Sequence, residues 1–140
     1  MNVTVRRFAT PEALADEAGA RFCLAAAEAV AARRRFCVVL PGGRTPVVLY
    51  RVLRESSWAG VVPWDKSHFF FSDERCVPPE DAGSNRGLAQ RELLAHVPVP
   101  PAHIHHAPVE ADAAEARTAY PAALVRPRGG ALWLYSEAGR

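Results

Sequence analysis

The period of the hydrophobic positions changes several times along the chain, and each change marks a predicted element. Asn2 to Phe8 alternates apolar and polar residues, the period of a short strand. Thr10 follows as a helix cap, with Pro11 as the first helical residue and Glu12 in the first turn, where negative charge suits the helix dipole. Leu14, Ala18, Phe22, Ala25 and Ala29 keep helical spacing, and Arg33, Arg34 and Arg35 close the helix at the end that favours positive charge. Phe36 to Leu40 is a short continuous apolar run, the signature of a strand covered on both faces. A Gly-rich turn leads into a helix from Pro46 to about Glu55, and His68 to Phe71 reads as a second buried strand. A long polar loop precedes a helix over Ser84 to His96, and Pro98 to Pro101 is a connector. His103 to His106 reads as a short third strand, Ala111 to Leu124 has helical spacing, and Ala131 to Tyr135 again has a strand pattern. Strands alternating with helices predict an α/β fold of βαβ units, with a parallel sheet and helices on both faces.

Composition leaves that picture in place. A length of 140 residues suits about one domain, and 49% hydrophobic with 23% charged residues excludes wholesale disorder. A net charge of +2 argues against nucleic acid as a partner, and the Arg33–Arg35 run reads as a solvated helix end rather than a nucleic-acid patch. Lys66 is the one lysine among 17 basic residues. Arginine presents a planar fork of donors suited to phosphate, but an Arg- and Ala-rich chain is also what a GC-rich genome produces. Cys23, Cys37 and Cys76 have no metal-type spacing, and the first two read as buried small hydrophobes. Met1 to Thr10 holds no apolar signal-peptide core, and the apolar stretch Cys23 to Ala32 is interrupted by Glu28 and too short to span a bilayer. The expectation is a cytoplasmic protein with no membrane partner.

Two loops carry the candidate chemistry. Pro41-Gly42-Gly43-Arg44-Thr45-Pro46 joins a buried strand to a helix. Its glycines permit positive φ and close approach of a ligand to the backbone, Thr45 is a natural N-cap, and the helix start favours an anion. A tight strand-to-helix turn explains the same residues without a ligand. The loop is neither a Walker A motif nor a dinucleotide-binding one. The second loop, Ser72-Asp73-Glu74-Arg75-Cys76-Val77-Pro78, also follows a strand, so both are expected at the carboxyl edge of the sheet, where ligands sit in such folds. Asp73 and Glu74 suit a proton acceptor and an orienting group, and Arg75 suits a two-point grip on phosphate. The alternative is a solvated acidic turn closed by an internal ion pair. Ser84 is a candidate cap for the following helix, and Arg86 adds positive charge nearby. His103, His105 and His106 have no further ligand spaced to complete a metal site, so no metal is expected.

The order of these pieces resembles the 6-phosphogluconolactonase family, within the glucosamine-6-phosphate isomerase/6-phosphogluconolactonase superfamily. The resemblance rests on Gly42 to Tyr50, Pro63 to Phe70, Asp73 to Asn85 and His96 to Pro101, and covers about Phe36 to Tyr120. It implies a doubly wound, Rossmann-like three-layer sandwich. It also implies hydrolysis of 6-phospho-D-glucono-1,5-lactone to 6-phosphogluconate in the oxidative pentose phosphate pathway, with no cofactor. By the same resemblance Gly42, Gly43, Arg44, Thr45 and Arg75 help hold the substrate's phosphate. Asp73 lies beside the lactone ring as the catalytic candidate, and Ser84, Asn85 and Arg86 support the pocket.

The chain departs from the family pattern near its end. The family's later motif G-x-G-x-D-G-H-x-A-S-L-F-P, whose histidine is usually given the general-base role, is not found, and none of the five histidines stands in its place. The expected organisation is therefore residues 1–125 as a C-terminally truncated lactonase-like unit, and 126–140 as a divergent tail that fits a shifted reading frame, a mispredicted gene end or a real, shortened protein. Impaired activity and self-association through an unpaired sheet edge are the corresponding expectations. Other readings stay open: an aminosugar-phosphate deaminase or isomerase, a sugar-phosphate binding module without catalysis, and a non-functional fragment. Arg75 favours the lactonase, because the deaminase relatives usually carry an aromatic residue there.

Overall fold

The computed structural model describes residues 4–55, 58–106 and 132–133. Helix α1 spans Pro11–Arg33, strand β1 Phe36–Leu40, helix α2 Thr45–Arg54, strand β2 Ser67–Phe71, helix α3 Asn85–Glu92 and strand β3 Leu132–Trp133. The three strands are parallel in the order β2-β1-β3, with β1 central. The fold is α/β with a parallel, Rossmann-like sheet, as the alternation of strand and helix patterns predicts.

Local chemistry accounts for the element ends. The Thr10 hydroxyl accepts from the Ala13 amide at 3.1 Å, and Pro11 occupies the first turn, where its missing N–H costs nothing. At the other end of α1, Arg34 takes a left-handed φ of 61° and its amide donates to the Val30 carbonyl at 2.8 Å. The stripe that α1 buries is Ala15, Gly19, Phe22, Cys23, Ala26 and Ala29. All but Phe22 are small, and at Gly19 the helix lies close against α2: a Cβ there would come within 3.3 Å of Val52. Leu14, which keeps the helical spacing of the apolar positions, lies off this stripe and is 43% exposed.

The odd positions of β1, Phe36, Val38 and Leu40, join Phe69 and Phe71 of β2 under all three helices in the main core. Phe22 meets Phe36 edge to face at 5.2 Å between ring centroids, and Trp64 stacks on Phe69 at 6.2 Å. Cys37, Val39 and Phe70 form a separate buried cluster on the opposite face. The three cysteines therefore occupy three environments: Cys23 in the helix-covered core, Cys37 in the opposite cluster, and Cys76 exposed in a loop. An ion pair between Arg51 and Glu92 at 2.9 Å, and a bond from Arg54 Nη1 to the Glu92 carbonyl at 3.1 Å, fasten α2 to α3.

Three expectations need correction. Thr4 to Phe8 is not a strand: the segment is exposed throughout, pairs with no strand among the described residues, and is tied to α1 through Arg6 and Glu17 at 2.6 Å. Alternation alone does not make a strand without a partner to bond. The segment around His103 to His106 opens with a 3-10 turn over Pro101–His103 and makes a single parallel bridge, Phe69 with Ile104, rather than a full strand. The helix read over Ser84 to His96 ends at Glu92 and gives way to a 3-10 turn at Leu94–His96. The strand pattern over Ala131 to Tyr135 appears as β3, where Leu132 and Trp133 pair with Val38 and Val39. The helix expected over 111–124 lies outside the described residues. No helix among the described residues is long and apolar enough to cross a membrane.

Candidate functional site

Parallel pairing sets Leu40 opposite Phe71, so the loops leaving β1 and β2 emerge side by side at the same edge. The Ser72 amide continues the ladder one step further by donating to the Leu40 carbonyl at 3.0 Å. The first loop is held from below by Tyr50, a fully buried residue of α2 whose hydroxyl donates to the Pro41 carbonyl at 2.7 Å. Burial pushes the Tyr50 phenol well above its ordinary range, so it stays protonated and keeps donating. Gly43 has φ of 90°, a conformation that residues with a Cβ rarely adopt.

Gly42 is required for a different reason. A Cβ built there would lie 2.0 Å from Asn85 Oδ1 and 2.4 Å from its Cγ, so the Asn85 side chain occupies the space a larger residue would fill. Asn85 is itself buried, and its amide works in two directions. Its Nδ2 donates to the Asp73 carbonyl at 2.9 Å, and its Oδ1 accepts from Arg75 Nη1 at 2.9 Å. The same Nη1 also donates to the Gly83 carbonyl at 2.7 Å. One side chain thus joins the first loop, the second loop and the start of α3.

Glu74 holds the start of α3. Its Oε1 accepts from the Arg75 and Asn85 amides, both at 2.8 Å. Its Oε2 accepts from the Arg86 amide at 2.8 Å and the Ser84 hydroxyl at 3.1 Å. Ser84 in turn caps the helix, accepting from the Gly87 amide at 2.9 Å. Asp73 is exposed, and its carboxylate accepts from the Ser72 hydroxyl at 2.9 Å.

The structure therefore brings Gly42, Asp73, Arg75, Ser84 and Asn85 together. Arg86 contributes its backbone amide, while its side chain borders a cleft with Pro79, Glu80, Gln90 and Arg91. Arg44 and Thr45 lie exposed at the start of α2. Thr45 is not the cap: Arg44 has helical backbone angles and stands in the cap position with no side-chain bond, so the helix begins one residue earlier than Pro46 predicts. Nor is the second loop closed by an internal ion pair, because the Arg75 guanidinium bonds Gly83 and Asn85 while Glu74 bonds amides. The extent of Glu74's work was not legible in advance, since 11 and 12 residues separate the carboxylate from the Asn85 and Arg86 amides.

The histidines form a separate group on the β2 edge. His68 Nδ1 and His105 Nε2 are 3.1 Å apart, and the His68 and His103 rings stack at 3.9 Å. Burial, then the neighbouring His103, His105 and Arg35 charges, lowers His68 to about 4, and burial lowers His105 in the same direction. His68 stands three residues before the end of β2, about 10 Å along the strand from the loop edge. Among the described residues no group of three or more His, Cys, Asp or Glu side chains is arranged to hold a metal ion.

Known proteins resemble this chain over most of its length. The family model described as glucosamine-6-phosphate isomerases/6-phosphogluconolactonase matches residues 9–132. A 6-phosphogluconolactonase of Mycobacterium tuberculosis is 38% identical over 105 residues, covering 75% of this chain and 42% of the relative. The crystal structure of 6-phosphogluconolactonase from Thermotoga maritima is 27% identical with a TM-score of 0.70, covering 79% of this chain and 49% of that one. A monomeric glucosamine-6-phosphate deaminase shares the fold at a TM-score of 0.72 and 20% identity, over 83% of this chain and 48% of the other. The chain spans less than half the length of these relatives.

Proposed function

The chain belongs to the glucosamine-6-phosphate isomerase/6-phosphogluconolactonase family, and from that membership we propose that it carries the phosphate-holding part of a cytoplasmic 6-phosphogluconolactonase site. The observation that carries the reading is the Asn85 side chain, which packs on Gly42 while bonding Arg75 and the Asp73 carbonyl. That contact joins the Gly42–Thr45 loop to the Asp73–Arg75 loop at one sheet edge. In this reading Arg75 meets the 6-phosphate of the lactone, with the Gly42 and Gly43 backbone beside it. Ser84 and Asn85 fix the pocket floor, and Arg44, Thr45 and Arg86 add donors and charge at the rim.

Hydrolysis adds water to the lactone carbonyl carbon and places negative charge on its oxygen. The ring C–O bond then breaks, and the ring oxygen leaves as the sugar hydroxyl after taking a proton. Asp73 is the carboxylate of this chain nearest that chemistry in the reading, and it serves to orient the attacking water. No cofactor enters the reaction. The same reading divides the chain after residue 125, with 126–140 a tail of different character. Sequencing the genomic DNA past codon 125 in all frames tests that division.

The binding assignment is tested by titrating 6-phosphogluconate into the wild-type chain and Arg75→Ala by calorimetry. A two-point, charge-assisted contact is worth about 1.5–3 kcal/mol, so affinity should fall by about tenfold or more in the variant. Equal affinities for the two proteins would remove Arg75 from the phosphate site.

A further inference from the structure

Glu74 is the most heavily bonded carboxylate of the described residues at the loop edge. An ionised carboxylate offers four lone-pair sites and no donor. Here all four are taken: Oε1 receives the Arg75 and Asn85 amides, and Oε2 receives the Arg86 amide and the Ser84 hydroxyl. A carboxylate so occupied has no lone pair left for a substrate proton or a water, which sets Glu74 apart from Asp73 as a participant in the chemistry. Its negative charge is turned into the positive end of α3, where it is favourable, instead of toward an approaching anion.

The consequences pass through the backbone. Asn85 and Arg86 are the first two residues of α3, and Glu74 binds both their amides. That sets where the Asn85 side chain leaves the helix, and hence its contacts with Gly42, the Asp73 carbonyl and Arg75. Its bond to the Arg75 amide fixes the root of the arginine as well. We infer that Glu74 is a positioning residue: through the start of α3 it locks Asn85 and Arg75 against the Gly42 loop, so that the guanidinium is held in place before an anionic ligand arrives. Only the naming of that ligand as a sugar phosphate rests on the function proposed above.

The prediction is specific to the charge and reach of this side chain. Glu74→Gln keeps the size but replaces one acceptor oxygen with an NH₂ group, which would face an amide or hydroxyl donor. Glu74→Asp keeps the charge but shortens the reach. The first measurement uses the ligand-free chain: NMR hydrogen exchange of the Asn85 and Arg86 backbone amides and of the Asn85 side-chain amide. Glu74→Gln should lower their protection by about tenfold or more, since each loses a bond to a charged acceptor or depends on one. Should that variant fail to fold, Glu74→Asp serves in its place, with a smaller loss in the same amides. Unchanged protection of the Asn85 side-chain amide in the folded variant would overturn the inference whatever the ligand is.

The second measurement is a double-mutant cycle with 6-phosphogluconate as probe. Glu74→Gln should weaken binding by about tenfold in the wild-type background and have little further effect in Arg75→Ala, while its lowering of the thermal midpoint persists in both. Equal loss of affinity in the two backgrounds would show that Glu74 does not act through Arg75. If the wild-type chain binds no 6-phosphogluconate, the lactonase reading fails, and the exchange experiment alone decides the role of Glu74.

Discussion

Gly42→Ala is the smallest change that attacks the junction of the two loops. The added methyl would lie 2.0 Å from Asn85 Oδ1, 2.4 Å from Cγ and 2.6 Å from Nδ2, so one of the two residues must move. The loop beneath is fastened by Tyr50, and the easier movement is expulsion of the Asn85 amide from its buried position. That breaks the bond to Arg75, worth about 1.5–3 kcal/mol with a charged donor, and the bond to the Asp73 carbonyl, worth about 0.5–1.5 kcal/mol. Gly42 does not have positive φ, so alanine stiffens the unfolded chain at no native backbone cost and returns about 0.4–1 kcal/mol. The net loss is about 2–3 kcal/mol, or a fall in Tm of about 10 °C for a domain of this size. Urea denaturation followed by circular dichroism measures it. The companion is Gly42→Ala combined with Asn85→Gly, which removes the clash, so the double variant should be no less stable than Asn85→Gly alone. A Gly42→Ala protein within about 0.5 kcal/mol of wild type, or strictly additive losses in the double variant, would refute the reasoning.

Other outcomes follow from single contacts. Tyr50→Phe removes the 2.7 Å bond to Pro41 and leaves its carbonyl unpaired by that partner, so stability should fall by about 1–2 kcal/mol by urea denaturation with little change in fold. His68 has a folded pKa of about 4 against 6.5 when unfolded. The unfolded chain therefore binds more protons between these values, and stability should decline as pH falls from 6.5 toward 4. Urea midpoints at pH 7.5 and 5 should show a smaller decline in His68→Gln than in wild type, and equal declines would discount the histidine. Among the described residues β3 pairs only with Val38 and Val39 of β1, so size-exclusion chromatography with light scattering should show concentration-dependent association through the remaining edge, and a monomer at all concentrations would contradict this.

The strands and the long helix were legible because their signals are local. Phe36 to Leu40 and His68 to Phe71 are apolar runs with no competing period, and both appear as strands, the second extended by Ser67. Thr10 and Pro11 mark the start of α1 by their own hydrogen-bonding chemistry. Thr4 to Phe8 misled because alternation says what a strand would look like and not whether a neighbour exists to pair with it. Thr45 misled in a subtler way: a good cap residue was available, but Arg44 already has helical angles, so the threonine was drawn inside the helix. At the site, Gly42, Arg75, Ser84 and Asn85 were recognisable as residue types in motifs, and their mutual contacts were not. The approach of Asn85 to Gly42 spans 43 positions, and the chain carries no periodic trace of it.

The two buried cysteines give the molecule two internal clocks. Thiolate, not thiol, reacts with an alkylating reagent, and burial pushes both Cys23 and Cys37 above their ordinary range, while Cys76 stands exposed in the loop beside Arg75. Cys23 reacts only when α1 lifts from the main core, and Cys37 only when the opposite sheet face is uncovered. Because the two faces are sealed by different residues, the two buried thiols need not become reactive together. The order in which they do so under alkylation would reveal which side of the sheet yields first, with no substitution in the protein.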